Sequence, residues 1–177
     1  MVKVEISQTV FQSLHPQFSV VLVLAHHLDN NTKLIPSQHL LREVENVIKM
    51  TFNKETIKNH HLIAPWAVAQ QEFGKEAKHY HTSVEHLLQD VLHHKDLCTK
   101  TTLLNLVRYF SLKYIVPIAA DDLATIDGQI KFAVATGKEK ASLLRSIKKG
   151  DVYYRDEKKI LGAKMDYWKN PKTNPTP

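Results

Sequence analysis

An α+β fold is what this sequence predicts: a single domain with mixed β-sheets and a helical middle segment. Three observations point there. Strand-like runs stand at both ends of the chain, helical periodicity fills the middle, and no linker or internal repeat divides the 177 residues.

The first strand is "VKVEISQTV", where Val2, Val4 and Ile6 alternate with polar residues, the pattern of a half-buried strand. "FSVVLVLAHH" is a continuous apolar run of strand length, which predicts a central strand covered on both faces. In "IPSQHLLREVENVIKMTF", Leu40, Leu41, Val44, Val47, Ile48 and Phe52 recur at helical spacing, and Ser37 stands where an N-cap belongs. A second helix is expected over "HLIAPWAVAQQEFGKE", with Pro65 early, Trp66, Ala69, Gln70 and Phe73 on one face, and Gly74 as its stop. Thr82 and Glu85 form a capping box before Leu87, Leu88, Val91 and Leu92. "TTLLNLVRYFSLKY" predicts a fourth helix with Leu103, Leu104, Val107 and Phe110 inward. Strands follow in "YIVPIAA", "GQIKFAVAT", "DVYYRD" and "KKILGAKMDYW". The domain is expected to span 1–168, and the Pro-rich tail 169–177, "KNPKTNPTP", to be disordered for want of apolar residues.

Composition narrows the classes. Hydrophobic residues are 43% and charged residues 24%, the balance of a soluble globular protein. One cysteine, Cys98, excludes an internal disulfide and fits a reducing compartment. No signal peptide opens the chain, and the apolar run Val20–Ala25 is too short to cross a bilayer, so a cytoplasmic protein with no membrane partner is expected. The charge of +6 favours a polyanion such as RNA, although the basic runs are mixed with acids, as on an ordinary solvated surface.

Motif chemistry is sparse. No nucleophile elbow, Walker loop or dinucleotide fingerprint occurs, and five glycines do not build a phosphate cradle. His86, Asp90 and His94 stand four apart on a helical stripe that a metal could use, and His79 and His81 precede it. That stripe lies opposite the Leu and Val face, where polar residues belong anyway, so no metal and no other cofactor is expected. His26 follows the predicted central strand, a place where sheets often border sites.

An ordered series of short pieces carries a family likeness. It runs through Trp66, Gly74, Ser83 and Glu85, then Ser111–Leu112, Pro117, Asp122–Leu123 and Gly128 to Ile130. It ends with Gly150–Asp151–Val152, Tyr154 and Asp156. In order and spacing, across well over half the chain, this resembles the B3/B4 domain of the bacterial phenylalanyl-tRNA synthetase β subunit and its free-standing relatives. The resemblance implies a pocket for an aminoacyl group or an aminoacyl-tRNA end, and hydrolysis of the ester of a mischarged tRNA. An activated ester needs only a placed water, donors for the developing oxyanion and groups that read the amine. The alternative is a non-catalytic module of the same fold that binds a small molecule or RNA through an eroded pocket.

Departures from the family pattern bear on this choice. Ala119 and Ala120 replace two glycines, Arg108 stands for an Asn, and Ala133 for an Arg. The Arg-rich closing signature has weakened to "AKMDYWKNPKT", and the series stops before a closing Thr-containing segment. Alanine at a glycine position blocks close approach of a ligand. The candidate binding residues are Asp122, Arg108, Ser111, Ala119, Ala120, Thr136 and His26. Asp122 either accepts from an α-ammonium or caps its own turn, and Arg108 either holds an anion or pairs with a protein acid. Ser111 either lines the pocket or bonds a backbone group. Asp121 is expected to be solvated, and Trp66 to be core.

Overall fold

The computed structural model describes residues 3–13, 19–55, 57–64, 82–139, 147, 149–163 and 168–176. The expected second helix falls mostly on 65–81, so Pro65, Trp66, Gly74, His79 and His81 lie outside the described residues. The chain is α+β, with strands flanking a helical middle, and its residues gather into two compact units.

The first unit holds the sheet. Its strands are β1 (Val4–Ile6), β2 (Ile130–Val134), β3 (Val152–Arg155), β4 (Ile160–Ala163) and β5 (Trp168–Lys169), in that order across the sheet. β1 runs parallel to β2, and the remaining pairs are antiparallel. Alternation in β2 and β3 sends Phe132, Val134 and Val152 to one face, where Val10 of the short helix α1 (Gln8–Ser13) covers them. Ala133, Ala135, Tyr153, Ala163 and Trp168 form the core of the other face with Ile147 and Ile160.

The second unit is helical: α2 (Leu34–Thr51), α3 (Ser83–Leu92) and α4 (Thr102–Tyr114). Leu41, Val44 and Ile48 of α2 meet Val84, Leu88 and Val91 of α3 and Leu112 of α4 in one core. Thr82 is the N-cap that the expected capping box calls for, its hydroxyl accepting from the Glu85 backbone N–H at 3.3 Å. Ser37 is no N-cap: α2 begins three residues earlier, behind Lys33, and Ser37 is buried inside the helix. Its hydroxyl donates to Leu34 O at 2.7 Å and accepts from Asn105 at 3.1 Å.

Four expectations are corrected. "FSVVLVLAHH" enters no strand among the described residues, and Val21 and Val23 are 85% and 83% exposed. A continuous apolar run becomes a central strand only with a neighbour on each side, and no described ladder includes it. "YIVPIAA" is likewise no strand; Ile115 turns into the left-handed region at φ 52° and closes α4. On α4 the buried positions are Asn105, Ser111 and Leu112, whereas Phe110 faces outward. The tail is ordered through 176: Asn170 bonds Leu161 O and Ile160 O at 2.7 and 2.9 Å, and Thr173 is fully buried. Polar side chains fasten the tail where apolar ones are lacking. Among the described residues no helix is long and apolar enough to cross a membrane.

Candidate functional site

The first unit holds two polar clusters, one of Asp127, Asp156, Lys158 and Lys159 and one centred on Asp121; the latter draws on three strands and the tail. Register explains how. Tyr154 of β3, Gly162 of β4 and Lys169 of β5 lie level on adjacent strands, so their side chains point to one face. A Cβ on Gly162 would overlap the Tyr154 ring, so the glycine lets that ring lie across β4. The Tyr154 hydroxyl donates to Asp121 Oδ2 at 3.3 Å, and the Lys169 ammonium pairs with Oδ1 at 2.8 Å. The Thr173 hydroxyl also donates to Oδ1. Lys169 has further acceptors in Thr173 Oγ1 at 3.4 Å and Asn174 Oδ1 at 3.2 Å. Side chains of Asp121 and Lys169 are 19% and 20% exposed, so both are mostly sheltered from water. One carboxylate, one ammonium and two hydroxyls therefore converge.

Of the two adjacent acids, Asp121 departs from its expected role, and Asp122 takes the capping one of its two expected roles. Asp121, expected to be solvated, is the centre of this cluster. Asp122 caps the short turn Leu123–Thr125 by accepting from Ala124 N–H at 2.9 Å, while its own N–H donates to Thr173 O at 2.8 Å.

Three other candidates are committed to nearby groups of the chain. The Thr136 N–H and hydroxyl both donate to Glu139 Oε1 at 2.8 Å, and the Gly137 N–H donates to Oε2 at 2.8 Å. Burial would raise the Glu139 carboxyl, but these donors outweigh it and hold it down to about 2. Thr136 is thus committed to its own loop. In the second unit, Ser111 is fully buried and donates to Val116 O at 2.6 Å, closing the end of α4. Arg108 donates to Leu97 O; burial lowers its pKa, and Asp90, Cys98, Asp96 and Glu45 oppose that. Ala119 is exposed and Ala120 half-buried. His26 is exposed, with His27 as its ring neighbour at 6.5 Å. Asp122 and Thr136 belong to the first unit, and Arg108, Ser111, Ala119, Ala120 and His26 to the second.

The histidine stripe breaks where its helix does. His94 follows the end of α3 at φ 58°, and Asp90 pairs with Lys95 at 2.6 Å. Among the described residues no three His, Cys, Asp or Glu side chains gather to hold a metal. Cys98 is half-buried; burial pushes its thiol up and the Asp96 carboxylate adds to the shift, which makes it a poor nucleophile.

Lys169 and Thr173 escaped the sequence reading because they sit in the supposedly disordered tail. Tyr154 was visible in the family-like series, but nothing local says that a glycine on the next strand frees its hydroxyl to reach Asp121. No family model matches this chain, and no curated protein or solved structure matches it either.

Proposed function

We propose that this chain binds an aminoacyl group, free or at a tRNA end, through the Asp121 cluster, and that it hydrolyses the ester of a mischarged tRNA. One observation carries the reading: a sheltered carboxylate with a lysine, a tyrosine hydroxyl and a threonine hydroxyl directed at it. An α-ammonium is recognised by Asp121 in place of Lys169, which retains Thr173 and Asn174 as acceptors. Lys169 and Tyr154 then stand as donors for the ester carbonyl, whose oxygen gains negative charge during attack by water. The ordered B3/B4-like residue series supports the same ligand class.

Thermal shift and calorimetry with tyrosinamide and phenylalaninamide test the binding step, with the N-acetylated amides as controls. The free amines are expected to raise the melting temperature and the acetylated ones are not. Tyr154→Phe, which removes one hydroxyl, is expected to weaken binding several-fold. Absence of any shift with both amines sinks the reading. Release of tyrosine from mischarged tyrosyl-tRNA(Phe) tests the hydrolysis. A rate equal to buffer alone, with amine binding intact, selects a non-catalytic binding module instead.

A further inference from the structure

The last two turns of α4 carry a second feature, in the helical unit and remote from this chemistry in kind. Tyr109, Phe110, Lys113 and Tyr114 form one surface there. Phe110 is 41% exposed and Tyr114 58%, one helical turn apart, with ring planes within 8° and centroids 6.2 Å apart. Tyr109 meets Phe110 edge-on at 5.0 Å. The Lys113 ammonium sits 5.2 Å from the Tyr109 centroid and 5.7 Å from that of Tyr114, and it donates to the Tyr109 hydroxyl at 2.9 Å.

Helix periodicity alone would turn Phe110 inward with Leu103 and Val107, but the inward positions are taken by Asn105, Ser111 and Leu112. The outcome is a pair of near-parallel ring faces open to solvent, with a cation fixed beside them. Burying this surface under an aliphatic partner would strip water from Lys113 without supplying a counter-charge. A ligand with flat π-surfaces and a regular negative charge satisfies both components, and the chain's charge of +6 adds long-range attraction for it.

We infer that this surface of α4 is a stacking platform for single-stranded RNA, the exposed Phe110 and Tyr114 rings receiving unpaired bases and Lys113 a phosphate, with Tyr109 anchored against the helical core behind them. Such a platform is tolerant of sequence, because every base has a π-face. It does not depend on the Asp121 reading, since an RNA without any aminoacyl group is its ligand.

The test is fluorescence anisotropy of the full chain with a labelled, unstructured twelve-nucleotide RNA carrying no ester, beside the same sequence as a blunt duplex. The single strand is expected to bind more tightly than the duplex. Phe110→Leu combined with Tyr114→Leu keeps the apolar area and the helix while removing two π-faces; it is expected to weaken single-strand binding at least tenfold. Lys113→Gln is expected to reduce the salt slope by about one. The proposal is overturned by absence of binding at 50 mM salt, or by a leucine double variant that binds as the parent does. It is overturned equally if the parent sediments as a dimer that the Phe110→Ala/Tyr114→Ala variant dissolves, because the surface then serves a second copy of the chain. Failure here with intact tyrosinamide binding leaves the Asp121 reading standing, and the converse holds.

Discussion

Glu45 offers the most direct test of the forces that hold the helical unit. It lies on the inward side of α2 among Leu41, Val44 and Ile48, is 8% exposed, and its Oε1 has no hydrogen-bond partner among the described residues. Burial raises its pKa from the usual 4.5, while Lys49 opposes the rise, Asp96 adds to it, and Arg42 and Arg108 oppose it. Desolvation wins, so the charged form is disfavoured in the native state. The unfolded chain then binds fewer protons than the native chain, and stability falls as pH rises from about 4.5 upward. Replacement by methionine keeps the length and removes the orphaned oxygen. A buried unsatisfied polar group costs about 1–3 kcal/mol, so Glu45→Met is expected to stabilise by that amount at pH 8. Each kcal/mol corresponds to about 2–4 °C in melting temperature for a chain of this size. Urea unfolding of parent and variant at pH 4, 6 and 8 reads the effect, and the variant's advantage should grow with pH. A parent more stable than Glu45→Met at pH 8, or a difference indifferent to pH, refutes the reasoning. The first outcome would mean that Arg42, Lys49 and Arg108 hold an ionised Glu45 more strongly than burial opposes it, and the second that the two effects cancel.

Three further outcomes are expected. Asp156, 1% exposed, would be raised by burial, but the Lys159 ammonium and the N–H groups of Asp127, Lys159 and Lys158 hold it down to about 2. Asp156→Asn is therefore expected to cost about 3 kcal/mol at pH 7. This contribution is present above about pH 4 and lost towards pH 2, so the gap between parent and variant should close over that window in urea titrations. Gly162→Ala, which forces the Tyr154 ring off β4, should destabilise by about 1–3 kcal/mol and also weaken tyrosinamide binding, checked by melting and calorimetry. Asn105, fully buried, accepts from the Thr99 N–H and hydroxyl at 2.7 and 2.8 Å and donates to Ser37. Asn105→Ala is expected to cost about 2–4 kcal/mol in urea unfolding, because it strands those donors in the interior.

The sequence by itself determined the α+β class and most of the elements that short-range pattern specifies. The strand at Val4–Ile6, the inward spacing of Leu41, Val44 and Ile48, and the Thr82 N-cap each act within one or two turns or along one strand, so they are legible locally, although Val4 itself stands exposed. Only tertiary structure decided which apolar run gains partners. Val21–Leu24 looked like a central strand and stands exposed, and Phe110 looked inward and faces solvent. Tertiary structure also decided which of two adjacent acids gathers chemistry. The partners that single out Asp121 are Tyr154 and Thr173, 33 and 52 residues away, and they arrive through strand register and an ordered tail. A carboxylate's role depends on what stands within about 3 Å of it, and that neighbourhood is set by pairing across the sheet, which the residues beside it in sequence do not encode.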